Sequence, residues 1–214
     1  ITIAKDLLKK ATEIGKCIER EQQILAVAYP GVFSYDEAYQ PVYKKSEIAV
    51  PPIGPLPKPD TTKLPGGAGI FVTKTGIPGL ERLYRDVQRE LHLYVYDNDS
   101  YSPEIITNDD ILFHFARSGW ASIWRSMLAR KPLIAPPYDS KDDPEIYFNN
   151  IAIERSGIGM VYNGGSLGEI MDKKNPAKRA GDEMVKKIME KWGTTDGTAY
   201  CAKLFAKAYI ANTK

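Results

Sequence analysis

From residue 66 onward the chain alternates between short apolar runs and runs with a helical period. "AGIFVTK", "HLYVYD", "DILFHFA", "PLIAPP" and "IGMVY" have the length and apolar content of buried strands. "LERLYRDVQREL", "ASIWRSMLARK" and "IYFNNIAIERSG" fall between them and read as helices. The first places Leu80, Leu83, Tyr84 and Val87 on one face. "GSLGEIMDK" predicts a short helix after the last strand, and two longer helices are expected near 176–192 and 197–211. A helix between successive strands returns each strand in the same direction. The order therefore predicts a mostly parallel sheet with helices on both faces, a Rossmann-like α/β fold.

The first third reads differently. Ile3, Leu7, Ala11, Ile14 and Ile18 recur at helical spacing, which predicts an amphipathic helix over 3–23. "ILAVAYPG" reads as a short strand stopped by Pro30-Gly31. Pro41, Pro51, Pro52, Pro55, Pro57, Pro59 and Pro65 crowd the next segment. "VPPIGPLPKPD" must be extended, because proline removes donors and restricts its predecessor. The expected division is a helix–strand remnant of another unit over 1–50, a Pro-rich linker over 51–65, and the Rossmann-like domain over 66–214. The chain opens at Ile1, and the expectation is a piece of a longer protein.

Composition narrows the function classes. The chain is 43% hydrophobic and 26% charged, which suits a soluble globular core. Its formal net charge is only +2, with acids and bases interspersed, which argues against nucleic acid as a partner. No apolar run reaches the roughly 20 residues of a membrane span. With no signal-peptide pattern, the expected location is cytoplasmic. Cys17 and Cys201 are far apart and form no metal or redox motif.

Two turns stand at the carboxyl ends of predicted strands, where α/β sheets bind ligands. One is Thr73-Lys74-Thr75-Gly76; the other is Arg117-Ser118-Gly119-Trp120-Ala121-Ser122. Glycine admits a ligand close to the backbone, and the following helix offers unpaired N–H groups and a positive dipole end. That is the chemistry of a phosphate site. An ordinary strand-to-helix turn capped by Ser or Thr is the plainer reading. Neither turn fits the P-loop or G-x-G-x-x-G pattern. Asp97-Asn98-Asp99 reads as turn chemistry rather than a cation-binding carboxylate pair, and no metal is expected. His92 and His114 lie in strand patterns and read as structural.

The stretch "RSGWASIWRSMLARKPLIAPPYDSKDDPEIYFNNIAIERSGIG" resembles the nucleotide-sugar-binding signature of GT-B glycosyltransferases. It is most similar to the branch that holds the peptidoglycan N-acetylglucosaminyltransferase and the UDP-glucuronosyl- and UDP-glucosyltransferases. The resemblance covers residues 66–170, and "PPIGPL" resembles that family's interdomain segment. It implies a C-terminal, donor-binding GT-B half. Arg117, Ser118, Gly119 and Ser122 would form the diphosphate cradle, with Thr75 and Gly76 approaching from the first-strand loop. Trp120, Arg125, Asp143, Glu145 and Asn149 would face the donor sugar or ribose. A nucleobase would lie by Ile105 and Ile106, held by backbone groups. Arg125 stands where the family has a glutamate that accepts from the ribose hydroxyls. Arginine has donors and no acceptor, so it would contact a phosphate, or the ribose is held otherwise.

The activity so implied is metal-independent transfer of a sugar from a nucleotide-diphospho-sugar, a UDP-sugar, to an acceptor. The nucleotide-sugar is then a substrate, and no cofactor is expected. The resemblance puts the catalytic base and acceptor site in an N-terminal half or separate subunit. Catalytic residues are therefore unassigned here, and this chain alone is expected to be inactive. Peripheral membrane association would come through that half. Two alternatives stand: a catalytically silent GT-B-like scaffold that binds a partner, and a UDP-sugar epimerase of GT-B fold.

Overall fold

The computed structural model describes residues 6, 9–10, 12–14, 16, 25–28, 47–75, 85–141, 143–164 and 167–212. Those described between 6 and 16 are helical, as the period predicts. Strand β1 (Leu25–Ala28), within "ILAVAYPG", pairs in parallel with β2 (Glu47–Val50). The sequence reading did not anticipate β2, which is a four-residue run just ahead of the prolines.

The second sheet holds β3 (Gly69–Val72), β4 (Tyr94–Asp97), β5 (Ile111–Phe115), β6 (Leu133–Ala135) and β7 (Gly159–Val161). All pairs are parallel, and the spatial order is β4-β3-β5-β6-β7. The helices are α1 (Trp120–Leu128), α2 (Pro144–Ser156), α3 (Leu167–Trp192) and α4 (Gly197–Asn212). This is the expected α/β architecture.

Both faces of the sheet are covered, so its strands are apolar at nearly every position. Ile70, Val72, Phe113, Phe115, Ile134 and Met160 point to one face, where Leu167 and Ile170 of α3 close over them. On the other face Phe71 packs with Leu64, Tyr96, Ile105, Ile106 and Ile111. Further along that face, Ile123, Trp124 and Met127 of α1 meet Leu133, Ile153 and Ile188.

Three connections depart from expectation. "GSLGEIMDK" and 176–192 are one continuous helix, α3, with Pro176 inside it. A proline within a helix costs about 3 kcal/mol. Here buried anchors on both sides of Pro176 oppose that cost: Leu167 and Ile170 before it, Ala177 and Ile188 after it. The helix predicted before β4 ends in a π-helical turn, Val87–Leu91; Gly76, Leu80, Leu83 and Tyr84 lie outside the described residues. The crossover from β4 to β5 contains one short 3₁₀ segment, Pro103–Thr107.

The Pro-rich segment is extended, as its prolines require, and it is fastened to that crossover. Thr107 Oγ1 donates to the Lys58 carbonyl at 2.8 Å, and Asn108 Nδ2 donates to the Thr62 carbonyl at 2.7 Å. Among the described residues no helix is long and apolar enough to cross a membrane. Cys201 is a buried free thiol, and Cys17 lies outside the described residues.

The chain's end returns to its first sheet. Trp192 Nε1 donates to the Ala49 carbonyl at 3.2 Å, and the Gly197 N–H donates to the Pro52 carbonyl at 3.1 Å. A Cβ at Gly197 would stand 2.3 Å from the carbonyl oxygens of Pro51 and Pro52. Backbone meets backbone there, so a side chain has no flexible neighbour to displace. Gly197→Ala is expected to cost about 1–3 kcal/mol and to loosen α4 first. Chemical denaturation combined with hydrogen exchange of the α4 amides would check both parts.

Candidate functional site

β3 lies between β4 and β5, so the chain leaves it toward one edge and returns on the other side. Strand order reverses between β3 and β5, which makes their carboxyl ends a topological switch point. The residues that follow these two strands are Thr73, Lys74 and Thr75 on one side and Ala116 to Gly119 on the other. The fold thus brings the two turns singled out in the sequence to one crevice. The Thr73 N–H donates to the Phe115 carbonyl at 2.9 Å, which fastens them at their bases.

Gly119 opens α1 with φ −72° and no side-chain cap. Among the described residues a Cβ there would meet nothing closer than Ile146 Cδ1 at 3.9 Å. Neither backbone strain nor packing among the described residues requires glycine at this position. Ser122 is half-buried in the first turn of α1.

The rest of this turn is held from within. Ser118 is fully buried. Its hydroxyl lies 2.6 Å from Asn150 Oδ1 and 3.2 Å from the Ile146 carbonyl. Asn149 Nδ2 donates to the Ser118 carbonyl at 2.8 Å, and Asn150 Nδ2 donates to the Pro136 carbonyl at 2.9 Å. Asn149 is itself fully buried, and its Oδ1 has no hydrogen-bond partner among the described residues. Asp143 caps α2 by accepting from the Ile146 N–H at 3.2 Å. Its other oxygen pairs with Arg117 Nη1 at 3.4 Å, leaving Arg117 partly exposed beside the crevice. Asp143, Asn149 and Ser118 thus fix the loop's shape, and Ser118 directs its hydroxyl into the fold.

Trp120 stacks on Trp124, with centroids 5.4 Å apart and planes 9° from parallel, so it packs along α1. Glu145 is exposed on the first turn of α2, and Thr75 is exposed at the end of the β3 loop. Gly76 lies outside the described residues. Arg125 is half-buried on α1 and bears electrostatically on Glu104 and His114. Ile105 and Ile106 lie in the β4–β5 crossover with their side chains in the core. The Ile105 N–H and carbonyl are paired with Ser102 and Asn108.

Several residues named in the sequence only as parts of a turn or strand take specific partners here. Lys74 Nζ lies 2.7 Å from both Asp97 Oδ2 and Asp99 Oδ2. Hydrogen bonding to Asp97, then to Asp99, raises its pKa. Asp97 Oδ1 accepts from the Asp99 and Ser100 N–H groups at 3.1 Å each, so Asp97-Asn98-Asp99 is a turn closed on a lysine. Thr73 lies in the first of the two turns and Asn150 in the stretch that resembles the GT-B signature, but neither was assigned a role from the sequence. His114, structural as expected, bridges β3 to α1: Nε2 lies 2.9 Å from Thr73 Oγ1 and Nδ1 lies 2.6 Å from Ser126 Oγ.

Complete burial, followed by the charge of Arg125, pushes the His114 pKa down to about 3. The folded state keeps this ring neutral where an unfolded chain protonates it. Its contribution to stability is therefore full above the ordinary value of 6.5 and is lost as pH falls from there toward about 3. The expected slope approaches about 1.4 kcal/mol per pH unit. Urea melts between about pH 7 and about pH 5 would isolate it, because carboxylates titrate lower. His114→Phe is expected to remove that slope.

No family model matches the chain, and no curated protein matches its sequence. The likeness to known proteins is structural. The glycosyltransferase SnogD from Streptomyces nogalater matches with a TM-score of 0.52 at 15% identity, over 80% of this chain and 52% of that one. The spinosyn forosaminyltransferase SpnP matches with a TM-score of 0.52 at 15% identity, over 85% of this chain and 55% of that one. The fold is a Rossmann-like half of the GT-B type. The chain spans about half the length of these two structures. The crevice at its switch point is the candidate ligand site.

Proposed function

We propose that this chain is the donor-binding half of a glycosyltransferase that uses a nucleotide-diphospho-sugar, a UDP-sugar by its sequence resemblance to the UDP-dependent branch. The observation that carries this is the convergence of both turns on one switch point, with a glycine at α1 that no contact among the described residues requires. A ligand whose oxygens approach the backbone would need it. The diphosphate would lie across the crevice. The first N–H groups of α1 and Arg117 would be on one side, with Thr73 and Thr75 on the other.

In this reading an acceptor hydroxyl attacks the sugar's anomeric carbon as the bond to the diphosphate oxygen breaks. The departing diphosphate gains charge, and preorganised N–H groups and Arg117 stabilise it. Asp97 and Asp99 are engaged by Lys74, which supports transfer without a metal bridge from that turn. The base that deprotonates the acceptor is assigned to a second half or subunit. The chain alone would bind donor and transfer little.

A second reading, a catalytically silent scaffold of the same fold, is favoured by one observation. Ser118, expected at the phosphate, spends its hydroxyl on Asn150 and Ile146 inside the fold. Calorimetric titration with UDP and GDP, without added metal, separates the two. UDP binding supports the donor reading; no binding to folded protein at millimolar nucleotide sinks it and leaves the scaffold. Gly119→Ala sharpens the result. It is expected to cost about 1 kcal/mol of stability or less and to weaken UDP binding about tenfold or more. Unchanged affinity would remove the backbone approach at Gly119 from the model of the site.

A further inference from the structure

His114 lies beneath the crevice with both ring nitrogens engaged, stacked on Phe71 at 5.4 Å. A neutral imidazole has one donor nitrogen and one acceptor nitrogen. One of its two hydroxyl partners must donate to the ring, and the other must accept from it. Ser126 decides which. It is 3% exposed on α1, and among the described residues its hydroxyl has one partner, His114 Nδ1. Were Ser126 to accept from Nδ1–H, its own proton would be buried with no acceptor, which folded proteins avoid. Ser126 therefore donates to Nδ1, and the ring carries its proton on Nε2.

Nε2–H then donates to Thr73 Oγ1, which fills the acceptor side of that hydroxyl. The Thr73 proton has no acceptor among the described residues. Thr73 is half-buried, one residue past β3, at the mouth of the switch point. We infer that His114 is a positioning residue. It relays the orientation of Ser126 to Thr73, so that the Thr73 hydroxyl is fixed as a hydrogen-bond donor to a phosphate oxygen in the crevice. A phosphate oxygen suits it, because an oxyanion offers acceptors only. Burial holds the ring neutral, so the relay persists across the physiological range. This assignment rests on the donor-binding reading above.

Two measurements on the full chain test it. In the ¹⁵N-labelled protein, nitrogen shifts of the His114 ring are expected to show a neutral imidazole protonated on Nε2. A proton on Nδ1 overturns the assignment. In UDP titrations, Thr73→Val is expected to weaken binding about tenfold, the loss of one charge-assisted hydrogen bond, and Thr73→Ser to restore it. His114→Gln, which returns an amide donor near the place of Nε2, is expected to bind UDP more tightly than His114→Phe. Thr73→Val binding UDP like the wild type overturns the relay's purpose while the donor reading stands. Absence of UDP binding in the wild type sinks the donor reading, and the role given to Thr73 falls with it. If the His114 variants do not fold, the ring's proton and the Thr73 pair still decide.

Discussion

β3 must pair on both edges and bury both faces, and the rest of the domain is arranged around that requirement. All four of its residues are buried, with β4 hydrogen-bonded on one side and β5 on the other. A strand in that position cannot end in another strand's path, so its chain leaves at the carboxyl end and crosses over. The next strand pairs on one edge and the one after returns to the other. Two connections therefore diverge at a single place and leave a crevice between them. The candidate site follows from how the central strand is satisfied.

The parts of the sequence that report burial were legible. "AGIFVTK", "DILFHFA" and "PLIAPP" are apolar at almost every position because helices cover both faces, and each yields its strand where expected. The two turns were legible because glycine and hydroxyl residues punctuate those runs. What was not legible depended on partners distant in sequence. Pro176 reads as the start of a separate helix, and only the anchors on two faces of the sheet keep α3 continuous through it. Glu47–Val50 has no periodic signature of its own and becomes a strand by pairing with Leu25–Ala28. The burial of Ile105 and Ile106 beside Leu64 and Tyr96 depends on where the crossover lies.

The same distinction runs through the site. A hydroxyl beside a glycine can serve a ligand or the fold, and the string "RSGWAS" does not say which. Ser118 serves the fold, because Asn149 and Asn150 reach it from α2, about thirty residues later. Burying three polar side chains is tolerable only when they satisfy one another. Here they almost do, leaving Asn149 Oδ1 without a partner. In return, the backbone from Arg117 to Gly119 is held against α2. The proposed cradle of N–H groups would need that rigidity more than another hydroxyl, because backbone donors cannot rotate to find a ligand.

Charge placement points the same way. Arg117 and Lys74 flank the crevice, but each is paired with carboxylates of its own chain. Those pairs hold the cations in place and also compete with an incoming anion. Arg117 is the looser of the two, at 3.4 Å from one carboxylate oxygen and still partly exposed. Lys74 is closed on two carboxylates at 2.7 Å. A diphosphate could draw Arg117 from Asp143 at modest cost, since exposed ion pairs contribute about 1 kcal/mol or less. Releasing Lys74 would instead leave Asp97 and Asp99 facing a ligand of their own sign. Arg117 is therefore the cation more readily drawn to an anion, while the Lys74 cluster, one cation between two carboxylates, keeps net negative charge on the other side.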